Sequence, residues 1–502
     1  MRKCAWLWLI LCFALTLGGC AGETRTEIPE TTTATQAPTE DPNLKVEAYA
    51  LAVNSEADLQ ILEQFPNLKE ADLQGSTCYE AVASYIQTHP QVAVSYDVRI
   101  GNEVYVPEIE ELALPDGTYP YEELLNNLQY LPNVKRIILP QTMLSGPELA
   151  QLRSRYPEIA VEYTVLLGDM ELNWDVQQLD LSHLKAEFLD DICRVLAQLP
   201  QLQDVQLMRA DRTSRFSIAD VKAMMSAAPE KTIHYTFKLF GKNVSTTDER
   251  IEFVKKKIGN KGVAQVREAL QIMPRCSYVL LDNCGINNET MAQLRDDHPD
   301  VKIVWRVSVG NKSYLTDTTV VRCIDTLENK NTRNLKYCTD VVYMDIGHNY
   351  VLSDLSFVSY MPNLKVAIVS DCHTDSVEPF AACKNLQYLE IVNCDYLNDV
   401  SALANCKELR GVNISSSMGV DDLSPFYGLD KLERLFLGKH DLPQEEIDAV
   451  RAALPNCWVT DKSEAVAWVG FNYSVGWRLD DETTLAQWYV DIMDIFGYTR
   501  TM

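Results

Sequence analysis

Hydrophobic and polar residues recur with a nearly constant period along the second half of the chain. Five segments fit the spacing Leu-x-x-Leu-x-Leu-x-x-Asn/Cys, in which alternate residues of a short strand point inward. The inward pairs are Met344/Ile346, Ala367/Val369, Leu389/Ile391, Val412/Ile414 and Leu435/Leu437. The last position of the pattern is held by Asn349, Cys372, Cys394, Ser417 and His440, at steps of 23, 22, 23 and 23 residues. This regularity predicts a stack of coils that contribute one short strand each.

The spacing is typical of leucine-rich repeats, in which the Asn/Cys position turns the chain and hydrogen-bonds the backbone of the neighbouring coil. His440 stands in this turn column, and so do Cys372, Cys394 and Cys284 of an earlier coil. We therefore expect structural roles for these residues. Cys383 and Cys406 stand where leucine is usual and are expected in the core.

The first half of the chain repeats with a longer unit of about three coils. One series of anchors is Pro66, Pro132, Pro200 and Pro274, and a second is Pro90, Pro157, Pro229 and Pro299. Six residues after each member of the second series stands an aromatic residue within a period-two run, and a glycine follows: Tyr96/Gly101, Tyr163/Gly168, Tyr235/Gly241 and Trp305/Gly310. Alternation of this kind predicts a strand, and the glycine predicts a hairpin-like turn.

Helical patterns accompany these strands near residues 78–88, 145–156, 217–228, 288–298 and 444–454. Two of them begin with the capping-box patterns Thr77-x-x-Glu80 and Ser145-x-x-Glu148. With strands on one side of each coil and helices on the other, the predicted fold class is α/β. We expect a leucine-rich-repeat solenoid of horseshoe shape, with irregular long repeats over 44–333 and regular repeats of 22–23 residues over 334–463.

The first residues form an export signal. Arg2 and Lys3 precede an apolar run that ends at Leu17, and Gly18-Gly19-Cys20 follows. This arrangement predicts a signal peptide over 1–19. Leu-Gly-Gly-Cys resembles the lipobox of bacterial lipoproteins, which implies lipidation of Cys20; the alternative is an ordinary signal peptide that contains a cysteine. The Thr-, Pro- and Glu-rich residues 20–43 have the composition of a disordered tether.

Composition narrows the function classes further. The 502 residues carry a formal net charge of −26, which disfavours binding to nucleic acid and to anionic lipid headgroups. The body contains eleven of the fourteen cysteines, and an odd number argues against a complete disulfide framework. We find no metal-binding, phosphate-binding or nucleophile-elbow motif. The expectation is a protein that is not an enzyme and has no cofactor and no metal.

The residues 464–502 break the repeat and are rich in aromatic side chains. Open ends of a solenoid expose core residues and need a cap, so we expect a C-terminal cap here. The alternative is an aromatic platform for a sugar or a peptide. The aromatic residues are Trp468, Phe471, Tyr473, Trp477, Trp488, Tyr489, Phe496 and Tyr498.

A candidate binding site follows from the residues that flank the inward pairs and point out from the concave sheet. We expect an exposed apolar patch there, which is the usual mark of an interaction site. The candidate partner-binding residues are Tyr278, Leu280, Tyr343, Val366, Ile368, Tyr388, Val392 and Phe436. The hypothesis is that this patch binds a protein or peptide ligand. The alternative is that the extra hairpins or the aromatic tail cover it.

The regular coils resemble the internalin-like class of bacterial leucine-rich repeats, because Asp399-Val-Ser-Ala-Leu-Ala and Asp422-Leu-Ser-Pro-Phe match its repeat phrase. The whole chain resembles leucine-rich-repeat surface lipoproteins of Gram-positive gut anaerobes, on its long units and on Gly476-Trp477-Arg478 and Met493-Asp494-Ile495-Phe496 in the tail. The resemblance implies a cell-surface binding scaffold, held to the membrane through its N-terminal lipid only. We expect a monomer. The alternative function is that of a structural or assembly factor of the cell envelope with a self-filled concave face.

Overall fold

The computed structural model describes residues 41–115, 120–461 and 487–497. The predicted signal peptide, Cys20, nearly all of the predicted tether and most of the predicted cap lie outside these residues. Among the described residues, no helix has both the length and the apolar character that a membrane crossing needs.

The described residues fall into two compact units, and the first contains 41–112 and 120–135. Three short strands pair in parallel in the order β1–β2–β3, with registers Ala48↔Glu70 and Glu70↔Ala93. A hairpin, β4–β5, follows. The bounds are β1 Ala48–Ala50, β2 Glu70–Asp72, α1 Tyr79–Thr88, β3 Ala93–Ser95, β4 Val98–Ile100, β5 Glu103–Tyr105, β6 Glu111–Ala113 and α2 Tyr121–Asn127.

The second unit contains 113–115, 136–461 and 487–497. Its first part alternates helices with parallel strands and antiparallel hairpins. The bounds are β7 Arg136–Leu139, α3 Gly146–Arg155, β8 Ala160–Leu167, β9 Met170–Asn173, β10 Gln178–Asp180, α4 Leu189–Gln198, β11 Asp204–Gln206, α5 Ile218–Ala227, β12 Thr232–His234, β13 Thr236–Leu239, β14 Lys242–Ser245, β15 Arg250–Val254, α6 Gly259–Leu270, β16 Tyr278–Asp282, α7 Asn288–Asp297, β17 Lys302–Val309 and β18 Lys312–Leu315. The parallel pairs are β7–β8, β10–β11–β12 and β15–β16–β17.

The second part of this unit is one parallel sheet of seven strands, which we call the long sheet. Its strands are β19 Val320–Arg322, β20 Tyr343–Asp345, β21 Val366–Ile368, β22 Tyr388–Glu390, β23 Gly411–Asn413, β24 Arg434–Phe436 and β25 Trp458–Thr460. Short 3₁₀ helices connect most of these strands, and α8 (Gln444–Ala453) precedes β25. After the undescribed residues 462–486 comes α9, Gln487–Phe496.

The strand register of the long sheet reproduces the period of the sequence. Tyr343 pairs with Val366, Val366 with Tyr388, and Tyr388 with Gly411, at the predicted steps of 23, 22 and 23 residues. All five predicted inward pairs are completely buried. The chain therefore has a leucine-rich-repeat fold, since one strand per coil at this spacing stacks the inward residues into a continuous core.

The turn column forms a ladder of hydrogen bonds between coils. The Asn349 side-chain amide donates to the carbonyl of Cys323 (2.9 Å), and the Ser417 hydroxyl donates to that of Ile391 (3.0 Å). The same contact with a backbone carbonyl of the preceding coil is made by the Cys372 thiol to Ile346 O (3.5 Å) and by the Cys394 thiol to Val369 O (3.4 Å). His440 Nε2 lies 2.6 Å from Ile414 O in the same way. Burial lowers the pKa of His440. The predicted structural role of this column is confirmed.

The long units contain the predicted hairpins. Gly168, Gly241 and Gly310 turn the chain between β8 and β9, β13 and β14, and β17 and β18, each with a positive φ. The polar atoms of the aromatic residues hydrogen-bond other segments of the chain, which come later for Tyr96 and Tyr163 and earlier for Tyr235 and Trp305. Tyr96 donates to Tyr130 O, Tyr163 to Gln198 O, Tyr235 to Phe216 O and Trp305 to Asn288 Oδ1.

All five predicted helices are present, as α1, α3, α5, α7 and α8. The capping box at Ser145 is confirmed, since its hydroxyl accepts from the backbone of Glu148. The predicted box at Thr77 is wrong. Helix α1 begins at Tyr79 after Cys78, and the Thr77 hydroxyl donates to Asn54 Oδ1 of the preceding coil instead (2.9 Å). A similar box at Ser217 and Asp220 was not predicted.

The eleven cysteines of the described residues are free thiols. Burial raises the pKa of Cys338, Cys372, Cys383 and Cys394 to about 12, and that of Cys406 to about 11. Cys383 and Cys406 are fully buried, as predicted for core residues. Thiols with such pKa values stay protonated and unreactive near neutral pH.

Candidate binding face on the long sheet

The side chains at the first and third positions of each strand of the long sheet form one surface, which we call the front face. They point away from the inward residues because successive side chains of a strand alternate between faces. From strand to strand, the pairs are Val320/Arg322, Tyr343/Asp345, Val366/Ile368, Tyr388/Glu390, Gly411/Asn413, Arg434/Phe436 and Trp458/Thr460.

Six apolar members of the front face cluster with α9. Val366, Tyr388 and Phe436 belong to one hydrophobic cluster with Ile492 and Phe496 of α9. Partly buried residues complete the cluster: Val320, Tyr343 and Ile368. These contacts place α9 against β19 and β20. A cluster of buried apolar side chains thus lies on the side of the sheet that faces away from the core of the coils.

The contact has a defined geometry at the C-terminal end of α9. The Tyr343 and Phe496 rings meet edge to face, with centroids 6.4 Å apart. The Arg322 guanidinium donates to the Phe496 carbonyl (3.5 Å). A cation suits this position because carbonyl groups at the end of a helix carry partial negative charge. Ile492 and Phe496 stand four residues apart and so share one face of the helix.

The expectation of an exposed patch is wrong for several of its residues. The exposed fraction is 4% for Val366, 8% for Tyr388, 6% for Val392 and 1% for Phe436, while Tyr343 and Ile368 are half-buried. The alternative, that part of the tail covers the patch, fits the candidate residues that cluster with α9, which are Tyr343, Val366, Ile368, Tyr388 and Phe436. The physical reason is that α9 presents a matching apolar stripe, and burying both surfaces removes them from water. The binding role of these residues remains a prediction.

Tyr278 and Leu280 lie elsewhere. Both stand on β16, which belongs to a different sheet from β20, β21, β22 and β24. Tyr278 is half-buried, its hydroxyl donates to Asp317 (3.1 Å), and the Arg250 guanidinium lies 4.0 Å from its ring centre. Burial, together with the negative charge of Asp317, raises the pKa of Tyr278. The structure therefore does not bring these two residues into the patch.

Polar groups are buried between the apolar residues of the front face. Asp345 and Glu390 are nearly inaccessible to solvent. Asp345 accepts from the backbone of Gly347 (3.0 Å), and Glu390 from the Ser370 hydroxyl (3.2 Å). Asn413 accepts from Ser415, and its buried Nδ2 has no hydrogen-bond partner among the residues that the structure describes. The front face thus combines buried acceptors and one buried donor with apolar side chains.

The histidines near the turn column are held by neighbours. His348 Nδ1 lies 2.7 Å from Asp371 Oδ2, and the ring centroids of His373 and Tyr396 are 4.9 Å apart. Within the described ranges, no three of the His, Cys, Asp and Glu side chains are grouped to hold a metal ion.

Sequence reasoning missed two parts of this face. Val320 and Arg322 stand 23 residues before Tyr343 and Asp345, so extending the period backward by one step finds them. The segment was overlooked because Thr326 replaces the Asn/Cys residue at its turn position. The partners on α9 were missed as well, although the spacing of Ile492 and Phe496 is the signal of an amphipathic helix.

Comparison with known proteins gives likenesses among solved structures. Internalin C2 of Listeria monocytogenes is 17% identical over 51% of this chain and 88% of its own, with a TM-score of 0.26. An internalin (inlF) of the same organism is 14% identical over 83% and 80%, with a TM-score of 0.23. A leucine-rich-repeat protein of Leptospira interrogans is 14% identical over 84% and 96%, with a TM-score of 0.27.

No family model and no curated protein matches the chain. Since the TM-scores of these likenesses are below 0.5, the repeat assignment stands on the strand register and core of this chain itself.

Proposed function

We propose that this protein is a lipid-anchored, extracytoplasmic leucine-rich-repeat scaffold that binds a protein or peptide partner through the front face of the long sheet and performs no catalysis. The observation that carries the proposal is the apolar cluster on the front face, which already holds an amphipathic helix. Apolar, aromatic-rich surfaces with polar groups among them are typical of protein-binding sites.

The proposed location depends on the N-terminal sequence. The run before Leu17-Gly18-Gly19-Cys20 supports export and lipidation of Cys20. Several acyl chains on one cysteine hold a protein firmly at a membrane, because stable anchoring takes more than one chain. The acidic body would then stand clear of the lipid surface on residues 20–43.

The location is tested by fractionating cells that express the full chain. The Cys20→Ala variant is expected to leave the membrane fraction and to lose incorporation of labelled fatty acid. Cys12→Ala is the matched control, since Cys12 lies inside the predicted signal peptide, and it is expected to stay anchored. Fatty-acid labelling of the Cys20→Ala chain would contradict the assignment.

The binding role is tested by capture with the chain from residue 20, carrying Cys20→Ala, against envelope and host-cell extracts. Tyr343→Ala combined with Tyr388→Ala is expected to reduce recovery of a captured partner at least tenfold. The matched control is Tyr350→Ala with Tyr360→Ala, because these two tyrosines are exposed and lie off the front face. Unchanged capture by the Tyr343/Tyr388 variant would exclude the front face as the site.

A second function has an observation in its favour. The packing of α9 on the front face supports a structural or assembly factor of the envelope whose sheet face is self-filled. In that case, neighbouring proteins would contact other surfaces of the chain. Capture that depends on the exposed Tyr350 and Tyr360, and not on Tyr343 and Tyr388, would favour this function.

A further inference from the structure

The contact between α9 and the front face has the form of a ligand in its site. We propose that the front face is a receptor site for an amphipathic α-helix, that α9 occupies it as an intramolecular competitor, and that the partner binds by replacing α9. This inference deepens the proposed function and rests on it, because it names the kind of partner that the front face accepts.

The buried stripe of α9 defines what the site selects. Ile492 and Phe496 are each 5% exposed, whereas Ile495 on the same helix is 38% exposed, and Asp491 and Asp494 are exposed as well. The site therefore takes apolar side chains at positions i and i+4 and leaves acidic residues in water. Apolar anchors at this spacing are the usual mode by which a helix binds a groove.

The end of the helix is recognised too. Arg322 donates to the carbonyl of Phe496, and Tyr343 packs edge to face on the Phe496 ring. These two residues fit an aromatic side chain followed directly by a helix end. The expected partner is thus an amphipathic helix that carries an aliphatic residue and, four positions later, an aromatic residue. Its C-terminal carbonyl would accept from Arg322, and its acidic residues would lie on the side that faces water.

Helix α9 is suited to replacement. It has ten residues, and isolated helices shorter than about 12–15 residues are marginal in water. Its helical form therefore depends on the contact with the front face. Of the strands beneath it, β20 is hydrogen-bonded on both sides within the long sheet, and β19 is bonded to β20 as the edge strand. The covalent link to the repeats keeps α9 at a high local concentration, so that an outside helix has to compete with it.

The test uses a fluorescein-labelled peptide of residues 484–502 and the chain from residue 20 with Cys20→Ala. With α9 intact, weak binding of the peptide is expected. Ile492→Asp with Phe496→Asp in the chain vacates the site, and the peptide is then expected to bind at least tenfold tighter by fluorescence anisotropy. Ile495→Asp is the matched control and is expected to behave like the unsubstituted chain. A peptide that carries both Asp substitutions is expected not to bind.

Failure of the vacated chain to gain affinity, with its circular dichroism and thermal transition intact, would overturn the inference. So would equal binding of the substituted peptide, because the Ile492 and Phe496 anchors would then not matter. Further substitution of Tyr343→Asp in the vacated chain is expected to abolish the gain, which ties the peptide to the front face.

A second measurement needs no variant. Hydrogen exchange of the unsubstituted chain is expected to show the amides of α9 exchanging at least 100-fold faster than those of β21 to β23, since α9 must leave while the sheet stays folded. Exchange of α9 together with these strands would make it a permanent part of the fold and would overturn the inference.

These readouts separate this inference from the proposed function. Peptide binding and exchange involve no outside partner, so they report on helix recognition and on α9 alone. If Tyr343→Ala with Tyr388→Ala leaves partner capture unchanged while the peptide binds the vacated chain as expected, the proposed function fails and helix recognition stands. If capture is lost but the peptide never binds, the proposed function stands and helix recognition fails.

Discussion

The sheet β1–β3 and the long sheet have the same strand arrangement but differ in their outward side chains. Both are parallel, with steps of 22 to 24 residues. The central inward residues of the long sheet are buried, whereas in β1–β3 Ala71 is buried and Tyr49 and Val94 are half-buried. The outward residues of β1–β3 are small or acidic and exposed, and they line a groove of about 500 Å³: Ala48, Ala50, Glu70, Asp72, Ala93 and Ser95. Those of the long sheet include Tyr343, Val366, Tyr388 and Phe436 and pack with a helix.

This difference teaches that the inward residues build the coil while the outward residues decide what the sheet binds. Packing of a helix on apolar outward residues is stabilised by about 25 cal/mol per Å² of apolar surface that it removes from water. A column of alanine and carboxylate side chains offers little apolar area and would leave charges without water. Alternate residues of a strand therefore have different roles: one set packs the core and the other determines what the sheet binds.

The largest difference between the two sheets is expected at alkaline pH. The buried thiols of the long sheet, such as Cys372 and Cys394, have pKa values raised to about 12 from 9.0. Well below pH 9 they are protonated in both the folded and the unfolded chain. Above it they ionise in the unfolded chain first, so the free energy of unfolding falls as pH rises from about 9 to 12.

We expect the long sheet to open at a lower pH than β1–β3. Iodoacetamide labelling read by mass spectrometry should leave Cys372 and Cys394 unmodified at pH 8 and label them above about pH 10. Labelling of these thiols in the native chain at pH 8 would contradict their burial.

Shortening an inward residue is expected to have a similar effect in either sheet. Leu73 and Leu389 are both fully buried, so Leu73→Ala and Leu389→Ala should each lower the free energy of unfolding by about 2–5 kcal/mol. Urea unfolding followed by circular dichroism measures this. A cost below about 1 kcal/mol in one of the two would show that the cores differ as well as the faces.

In the turn column of the long sheet, removing the Asn349 amide is expected to cost more stability than removing the Cys372 thiol. Asn349 donates to Cys323 O and accepts from the amides of Thr326 and Leu327 (2.8 and 2.7 Å). Asn349→Ala is expected to cost about 2–4 kcal/mol, because each buried group left without a partner costs about 1–3 kcal/mol. Cys372→Ala, which removes one weak donor, should cost about 1 kcal/mol in the same urea titration. Equal costs would disprove the ladder as the source of the difference.

The smallest effect is expected on the outward residues of β1–β3. Ala50→Ser and Ala93→Ser change exposed positions without partners to lose, so the thermal midpoint should shift by less than the equivalent of about 0.5 kcal/mol. Phe496→Ala on α9 is the contrasting change and should raise the exchange rate of α9 amides by roughly tenfold or more, as about 2 kcal/mol of apolar burial is lost. Equal responses at both places would remove the distinction between the two faces.

Much of the fold was predictable because the repeat is local. The regular spacing of the turn residues from Asn349 to His440 follows from alternation within each strand and from a turn whose side chain hydrogen-bonds the preceding coil. The hairpins at Gly168, Gly241 and Gly310 were predictable for the same reason. The failed capping box at Thr77 shows the limit, since a tertiary contact with Asn54 took the hydroxyl that a local rule assigned to the helix.

The site was predictable only in part. The apolar residues Tyr343, Val366 and Tyr388 were found from their place beside the inward pairs. The sequence left open whether this patch is exposed or covered by the hairpins or the tail, because its contact with α9 joins segments more than 100 residues apart and no periodicity links α9 to β20.

The sequence by itself determined the period, the inward core, the turn ladder, the hairpins and the N-terminal signal pattern, since each depends on residues close together along the chain. Only the tertiary structure decided that α9 packs on the front face, that Arg322 meets the end of that helix, and that Tyr278 and Leu280 belong to another sheet. Contacts between distant segments depend on how surfaces match in space, and the spacing of residues along a chain does not record that match.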